Sequence, residues 1–71
     1  MTYEAIVQVL DFAGGNEQTV RITTTDDHEV IGIPTSVDTD PQALEVYLRP
    51  IGDADTEIAV RINHIRAVEM V

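Results

Sequence analysis

The sequence predicts a mainly β fold: a small five-stranded barrel preceded by a helix or an extra strand. Three observations predict it. Val20-Arg21-Ile22-Thr23, Ile31-Gly32-Ile33, Leu44-Glu45-Val46-Tyr47-Leu48 and Ile58-Ala59-Val60-Arg61-Ile62 place apolar residues two apart, the strand period, so each segment can bury one face and wet the other. The breaks between them, Asp26-Asp27-His28, Asp38-Thr39-Asp40-Pro41 and Gly52-Asp53-Ala54-Asp55, carry turn residues at regular spacing. The apolar fraction, 44%, comes from Val and Ile rather than aromatics, which suits pleated surfaces.

Residues 2–13 read two ways. Tyr3, Ile6, Val7 and Leu10 fall at helical spacing, with Thr2 as an N-cap and Gly14-Gly15 as a stop. Tyr3, Ala5, Val7 and Val9 also alternate as a strand does, and the β-branched content weakens a helix. The barrel occupies 19–71. Its first strand spans Thr19–Thr25, with Val20, Ile22 and Thr24 inward. The second spans Glu29–Val37, with Ile31, Ile33 and Val37 inward. Gly32 in mid-strand marks a bend or a close backbone approach, and Pro34, which cannot donate to a ladder, marks a bulge or an edge. Asp38–Gln42 is a polar connection. The third strand, Leu44–Arg49, turns Leu44, Val46 and Leu48 inward and Glu45, Tyr47 and Arg49 outward, and Pro50 limits it. Gly52–Asp55 makes a hairpin, and Glu57–Ile62 follows with Ile58, Val60 and Ile62 inward. Asn63-His64-Ile65 is a tight turn before a last strand, Arg66–Val71.

At 71 residues the chain is one domain, and a chain this short buries only roughly 60% of its unfolded surface. Cysteine is absent, so disulfides and thiolate metal sites are excluded and self-association into a homo-oligomer is the expected supplement to stability. Thirteen acids face four bases, for a net charge of −9, and the bases are all arginine: Arg21, Arg49, Arg61 and Arg66. Duplex nucleic acid and anionic membranes need a basic surface, so neither is an expected partner. The acidity has three readings: a solubility surface, a negative face that docks on a basic protein surface, or a composition suited to a high-salt host. Met1-Thr2-Tyr3-Glu4 lacks the basic region of a secretory signal, and no apolar run approaches membrane-spanning length. The expectation is a cytoplasmic protein with no membrane association.

Gly14-Gly15, Thr19-Val20-Arg21-Ile22, Gly32-Ile33, Val37-Asp38, the apolar strand Leu44–Leu48 and the closing Ile62-Asn63-His64-Ile65 form an order of features that resembles small barrels of SH3/Sm-like type. Across about residues 5–71 it is similar to the small bacterial YolD-like proteins. That resemblance implies a small accessory factor acting through protein contacts, since YolD-like proteins are thought to accompany a DNA-damage polymerase. Sm-type RNA binding relies on an Asp followed shortly by an Asn and on an Arg-Gly pair near the last turn. Asp38 has no such Asn after it, and Ile65-Arg66-Ala67 has no Gly after its Arg, so no RNA site is carried over.

His28 and His64 are the only histidines. His28 lies among acids at a hairpin tip, where solvation is the plain reading; His64, between apolar neighbours in a tight turn, is expected to cap or pack there. Asp38-x-Asp40 and Asp53-x-Asp55-x-Glu57 could attract a hard cation, but calcium loops need a longer ligand series, and Asp in turns bonds nearby backbone N–H groups. No nucleophile has a base beside it, and no nucleotide fingerprint is present. No cofactor, metal site or catalytic residue is expected. Tyr47 stands apart. It points outward between Glu45 and Arg49, and an exposed Tyr beside Arg is a common interface pair, though it also serves to cover an arginine stem. Arg61 extends the patch, and Arg66 and Tyr3 are candidates to do so. The expected function is a non-enzymatic, acidic protein-interaction module or small accessory factor. The alternatives are an Sm-like nucleic-acid-binding ring and a weak divalent-cation-binding protein.

Overall fold

A computed structural model describes every residue, Met1–Val71. The order is α1 (Tyr3–Gly15), β1 (Val20–Thr24), β2 (Glu29–Asp38), β3 (Glu45–Pro50), β4 (Ile58–Arg61), a 3-10 turn (Ile62–His64) and β5 (Ile65–Met70). The five strands form one antiparallel sheet in the order β4-β3-β2-β1-β5. β4 and β5 are therefore its two edges. No helix is long and apolar enough to cross a membrane.

The N-terminal segment is helical from Tyr3 onward, and packing decided between the two patterns. Thr2 is extended and its hydroxyl accepts from the Ala5 N–H at 3.2 Å, satisfying a donor the helix start would orphan. Ile6, Leu10 and Ala13 then bury against the sheet, whereas the strand pattern would have turned Tyr3, 45% exposed, to the same side as Val7 and Val9. The helix ends at Gly15, so the glycine pair does mark its stop, with Asn16 as its cap. Both glycines are its last helical residues, and the left-handed residue just beyond the cap is Glu17 at φ 52°. Gly14 also permits a close approach: a Cβ there would lie 3.2 Å from the Pro34 carbonyl oxygen on β2.

Val20 and Ile22 of β1, Val46 and Leu48 of β3, Val60, Ile62, Ile65 and Val68 join the helix residues in one core of 11 buried apolar side chains. Burial of each large member contributes about 1.5–3 kcal/mol.

Strand β2 corrects the expected inward set. Val20 pairs with Gly32 and Ile22 with Val30, and cross-strand partners share a face, so Val30, Gly32 and Pro34 turn inward. Ile31 and Ile33 turn outward, and Ile31 is 42% exposed. The reason is steric. A Cβ at residue 32 would stand 2.7 Å from the Arg49 carbonyl oxygen, so only glycine lets β2 and β3 meet there. A bulge between Pro34 and Ser36 then resets the alternation and returns Val37 to the inner face. The third strand begins one residue later than expected, because Leu44 adopts φ 45°. Its N–H donates to the Asp40 carbonyl at 2.9 Å and its own carbonyl accepts from the Ile62 N–H at 2.7 Å.

Candidate functional site

The outward row of β3 is Glu45, Tyr47, Arg49. Across the ladders Glu45 lies between Asp38 and Arg61, Tyr47 between Ser36 and Ala59, and Arg49 beside Ile33. The fold therefore brings the four predicted residues, Tyr47, Glu45, Arg49 and Arg61, onto one face of the sheet. Tyr47 is half-buried, and its cross-strand neighbours are small, which leaves the phenol as the dominant group of its row. Tyr3 and Arg66 are not brought to this face. Tyr3 borders a shallow hollow with Val7 and Thr39. Arg66 is on β5, its guanidinium 2.6 Å from Asp27 at the β1–β2 hairpin tip.

Ion pairing separates the four arginines. Arg21 is held between Glu69 at 3.0 Å and Glu29 at 3.7 Å, and Arg66 by Asp27. Arg49 and Arg61 are in no ion pair, although Glu45 stands across the ladder from Arg61. In a chain with 13 acids, two guanidinium groups outside any ion pair are unusual, and with Glu45 and Asp38 they make this face close to neutral. The arginines lie on four different strands, two of them engaged by carboxylates and two sharing the β3–β4 face.

An open groove of about 580 Å³ runs along the side of β4 that faces away from β3. Its near wall is β4 itself, Ile58–Arg61; its far wall is the β1–β2 hairpin, with Thr24, Thr25, Asp26 and His28, and its floor includes half-buried Val30. Backbone parity follows from one bond. The Ile62 N–H donates to the Leu44 carbonyl at 2.7 Å, so by antiparallel alternation Val60 and Ile58 bond to β3, while Ala59 and Arg61 turn their N–H groups into the groove. His64 was expected to cap or pack. Its side chain is instead exposed at the end of this groove, and it is the His64 carbonyl that ties the turn to the hairpin, accepting from Thr25 N–H at 2.8 Å. The sequence pattern carries no signal for this groove, because its walls are 30 or more positions apart in the chain and are brought together by the Thr25–His64 bond and the pairing of β5 with β1.

The acidic turns are folded onto themselves. The Asp38 carboxylate accepts from Asp40 N–H at 3.0 Å and the Asp40 carboxylate from Gln42 N–H at 2.9 Å, the usual Asx-turn chemistry. Hydrogen bonding from the Thr56 hydroxyl, then from Asp55 N–H, holds Asp53 below the ordinary aspartate range. Asp26 is likewise lowered, first by the Thr24 hydroxyl and further by His28, whose Nδ1 lies 3.0 Å from its carboxylate. Asp53, Asp55 and Glu57 converge on no common point, for Glu57 turns to the Thr35 hydroxyl at 3.1 Å.

Protein-family models, curated proteins and solved structures were all compared with this chain, and none matches it.

Proposed function

We propose that this chain is a non-enzymatic protein-interaction module, a small accessory factor of the cytoplasm that recognises a protein partner through the β3–β4 face. The observation that carries this reading is the pair of unpaired guanidinium groups, Arg49 and Arg61, on the same face as Tyr47. Tyr and Arg are the residue types that dominate interface energetics, because each offers a large, partly rigid contact area with a polar end. Two unpaired guanidiniums in so acidic a chain are groups whose charge partner is supplied from outside.

The reading includes an SH3/Sm-like barrel. Strand order β4-β3-β2-β1-β5, the helix before β1 and the 3-10 turn before β5 support it, and a YolD-like relationship would fit the same accessory role. The charge of −9 steers association toward basic surfaces at long range. At physiological ionic strength it is screened within about 8 Å, so local pairing decides at contact. The bare edge of β4 would also suit a homo-oligomer.

The test is capture of partners from the native host by the tagged chain and by Tyr47→Ala, each with and without nuclease. A stoichiometric protein that survives nuclease and binds Tyr47→Ala about tenfold or more weakly supports the module. Equal binding to both forms removes this face, and a bound nucleic acid that carries all other partners replaces the reading with a nucleic-acid-binding one.

A further inference from the structure

We propose that β4 is a docking strand: its bare edge takes up an extended segment of a partner protein, alternating acidic and apolar residues, by adding it to the sheet. This deepens the interaction-module reading and rests on it, naming the chemistry of what is bound.

The backbone makes the first argument. The Ala59 N–H and C=O and the Arg61 N–H face away from β3, and no backbone or side-chain group of the chain bonds to them there. An edge strand with free groups is a template for one more strand, and main-chain pairing of this kind provides affinity with little demand on sequence. The groove makes the second. It runs beside all four residues of β4 and is open to solvent, with the hairpin as a far wall rather than a cover.

Side-chain chemistry selects the occupant. An added strand alternates between the two faces of the sheet. Positions in line with Ile58 and Val60 meet those side chains and Val30, half-buried and apolar, and so call for an apolar residue. Positions in line with Ala59 and Arg61 meet the Arg61 guanidinium, which makes no ion pair even though Glu45 lies across the ladder on its far side, and so call for Asp or Glu. The other charged or titratable groups at the groove are Asp26, His28 and His64. Asp26 is already engaged by His28 and by the Thr24 hydroxyl, which leaves Arg61 as the permanent charge without a partner.

A second copy of this chain is the competing occupant, since β5 is the other edge. The outer side of β5 is partly taken by Met1. Its Arg66 carbonyl accepts from the Met1 nitrogen at 3.4 Å, and its Val68 N–H donates to the Met1 thioether at 3.2 Å. Pairing of β4 with β5 of a neighbour must displace Met1, whereas a separate extended segment displaces nothing.

The test titrates the full chain with a peptide of about six residues, a usual strand length, alternating Glu and Val, and with its Lys–Val counterpart. Amide hydrogen exchange and peptide fluorescence anisotropy are followed. The Glu–Val peptide is expected to bind about tenfold or more tightly than the Lys–Val peptide. It should slow exchange at Ala59 and Arg61 by about tenfold or more while leaving Val60 unchanged, since only the former amides gain a partner. Arg61→Glu should reverse the peptide preference. Ala59→Pro, which removes an outward N–H and no bond to β3, should weaken binding about tenfold or more. Should that variant fail to fold, Arg61→Glu and the exchange pattern still decide. Binding without protection at Ala59 and Arg61, equal affinity for both peptides, or no binding at millimolar peptide overturns the proposal. A host partner that depends on Tyr47 yet binds Ala59→Pro normally would also sink strand addition while leaving the module intact. A host partner indifferent to Tyr47→Ala would sink the Tyr47 face instead.

Discussion

The two edges of the sheet are built from similar strands and finished differently. β5 is six residues long, pairs with β1 along its length, and has the Arg66 carbonyl and the Val68 N–H of its outer side bonded to Met1, while Gln18 reaches the Val71 carbonyl at 2.8 Å to hold its end. β4 has four residues and nothing across its outer groups. Unpaired edges invite indiscriminate pairing, and proteins blunt them by covering them, shortening them or placing charge on them. Here the covering went to β5 and the shortness and the unpaired charge to β4. The difference teaches that a single cation can do two things at an edge. Arg61 deters apolar strands, and it favours a strand that brings a carboxylate.

The strongest way to break the comparison is to destroy the strand that joins the two edges. β2 lies at the centre of the sheet, and Gly32→Val would drive a branched side chain into the Arg49 carbonyl, 2.7 Å from the Cβ position. The expected loss in chemical denaturation is about 3 kcal/mol or more. A loss below about 1 kcal/mol would show that β2 and β3 can separate there at little cost.

Proline at matched positions sharpens it. Glu69 of β5 turns its N–H to β1, as the Val71 N–H bond to the Thr19 carbonyl and the alternation require. Glu69→Pro should cost about 3 kcal/mol, whereas Ala59→Pro should cost about 1 kcal/mol or less because its N–H has no partner to lose. Equal losses in urea melts would erase the distinction between a paired and a bare amide.

Removing the cover tests its purpose. A chain that starts at Thr2 loses the Met1 contacts to Arg66 and Val68, an expected cost of about 1 kcal/mol. With β5 uncovered, it should also self-associate more strongly than the full chain in sedimentation velocity. Identical sedimentation across the concentration range would mean that Met1 does not guard the edge.

The smallest effect concerns acid. Asp53, in the turn that leads into β4, has a pKa below the ordinary 3.8 because the Thr56 hydroxyl and Asp55 N–H bond its carboxylate. A depressed pKa means that the folded state favours the ionised form. Its contribution is therefore present above the unfolded value and is lost as pH falls through the folded one. Thr56→Val should lower the melting temperature slightly at neutral pH, and the two forms should converge on acidification below the ordinary aspartate range. A constant gap at every pH would assign the effect to packing instead.

Part of the candidate site was legible from parity alone. Once Val46 and Leu48 are core, Glu45, Tyr47 and Arg49 must point the other way, and Val60 does the same for Arg61. The face of β2 was not legible, because its inward set is Val30, Gly32 and Pro34. Two of those carry no strand-like apolar signal, while outward Ile31 and Ile33 carry a strong one. His64 was misread for a related reason. Its apolar neighbours Ile62 and Ile65 are buried, but a 3-10 turn separates their directions from its own.

Taken alone, the sequence determined where the strands and turns lie, that no disulfide supports them, and that the charge is strongly negative. Those properties are local or additive: alternation over five residues, turn chemistry over four, a sum of ionisable groups. The tertiary structure decided that the N-terminal segment is a helix, which face β2 buries, which arginines make no ion pair, and which edge is covered. Each of those depends on what arrives from a distant part of the chain. The helix is selected by the open face of the sheet it packs on, the β2 register by the Arg49 carbonyl, and the state of β5 by Met1, 67 positions from Val68. Apolar spacing specifies that a side will be buried, but only the partner that reaches it determines which side.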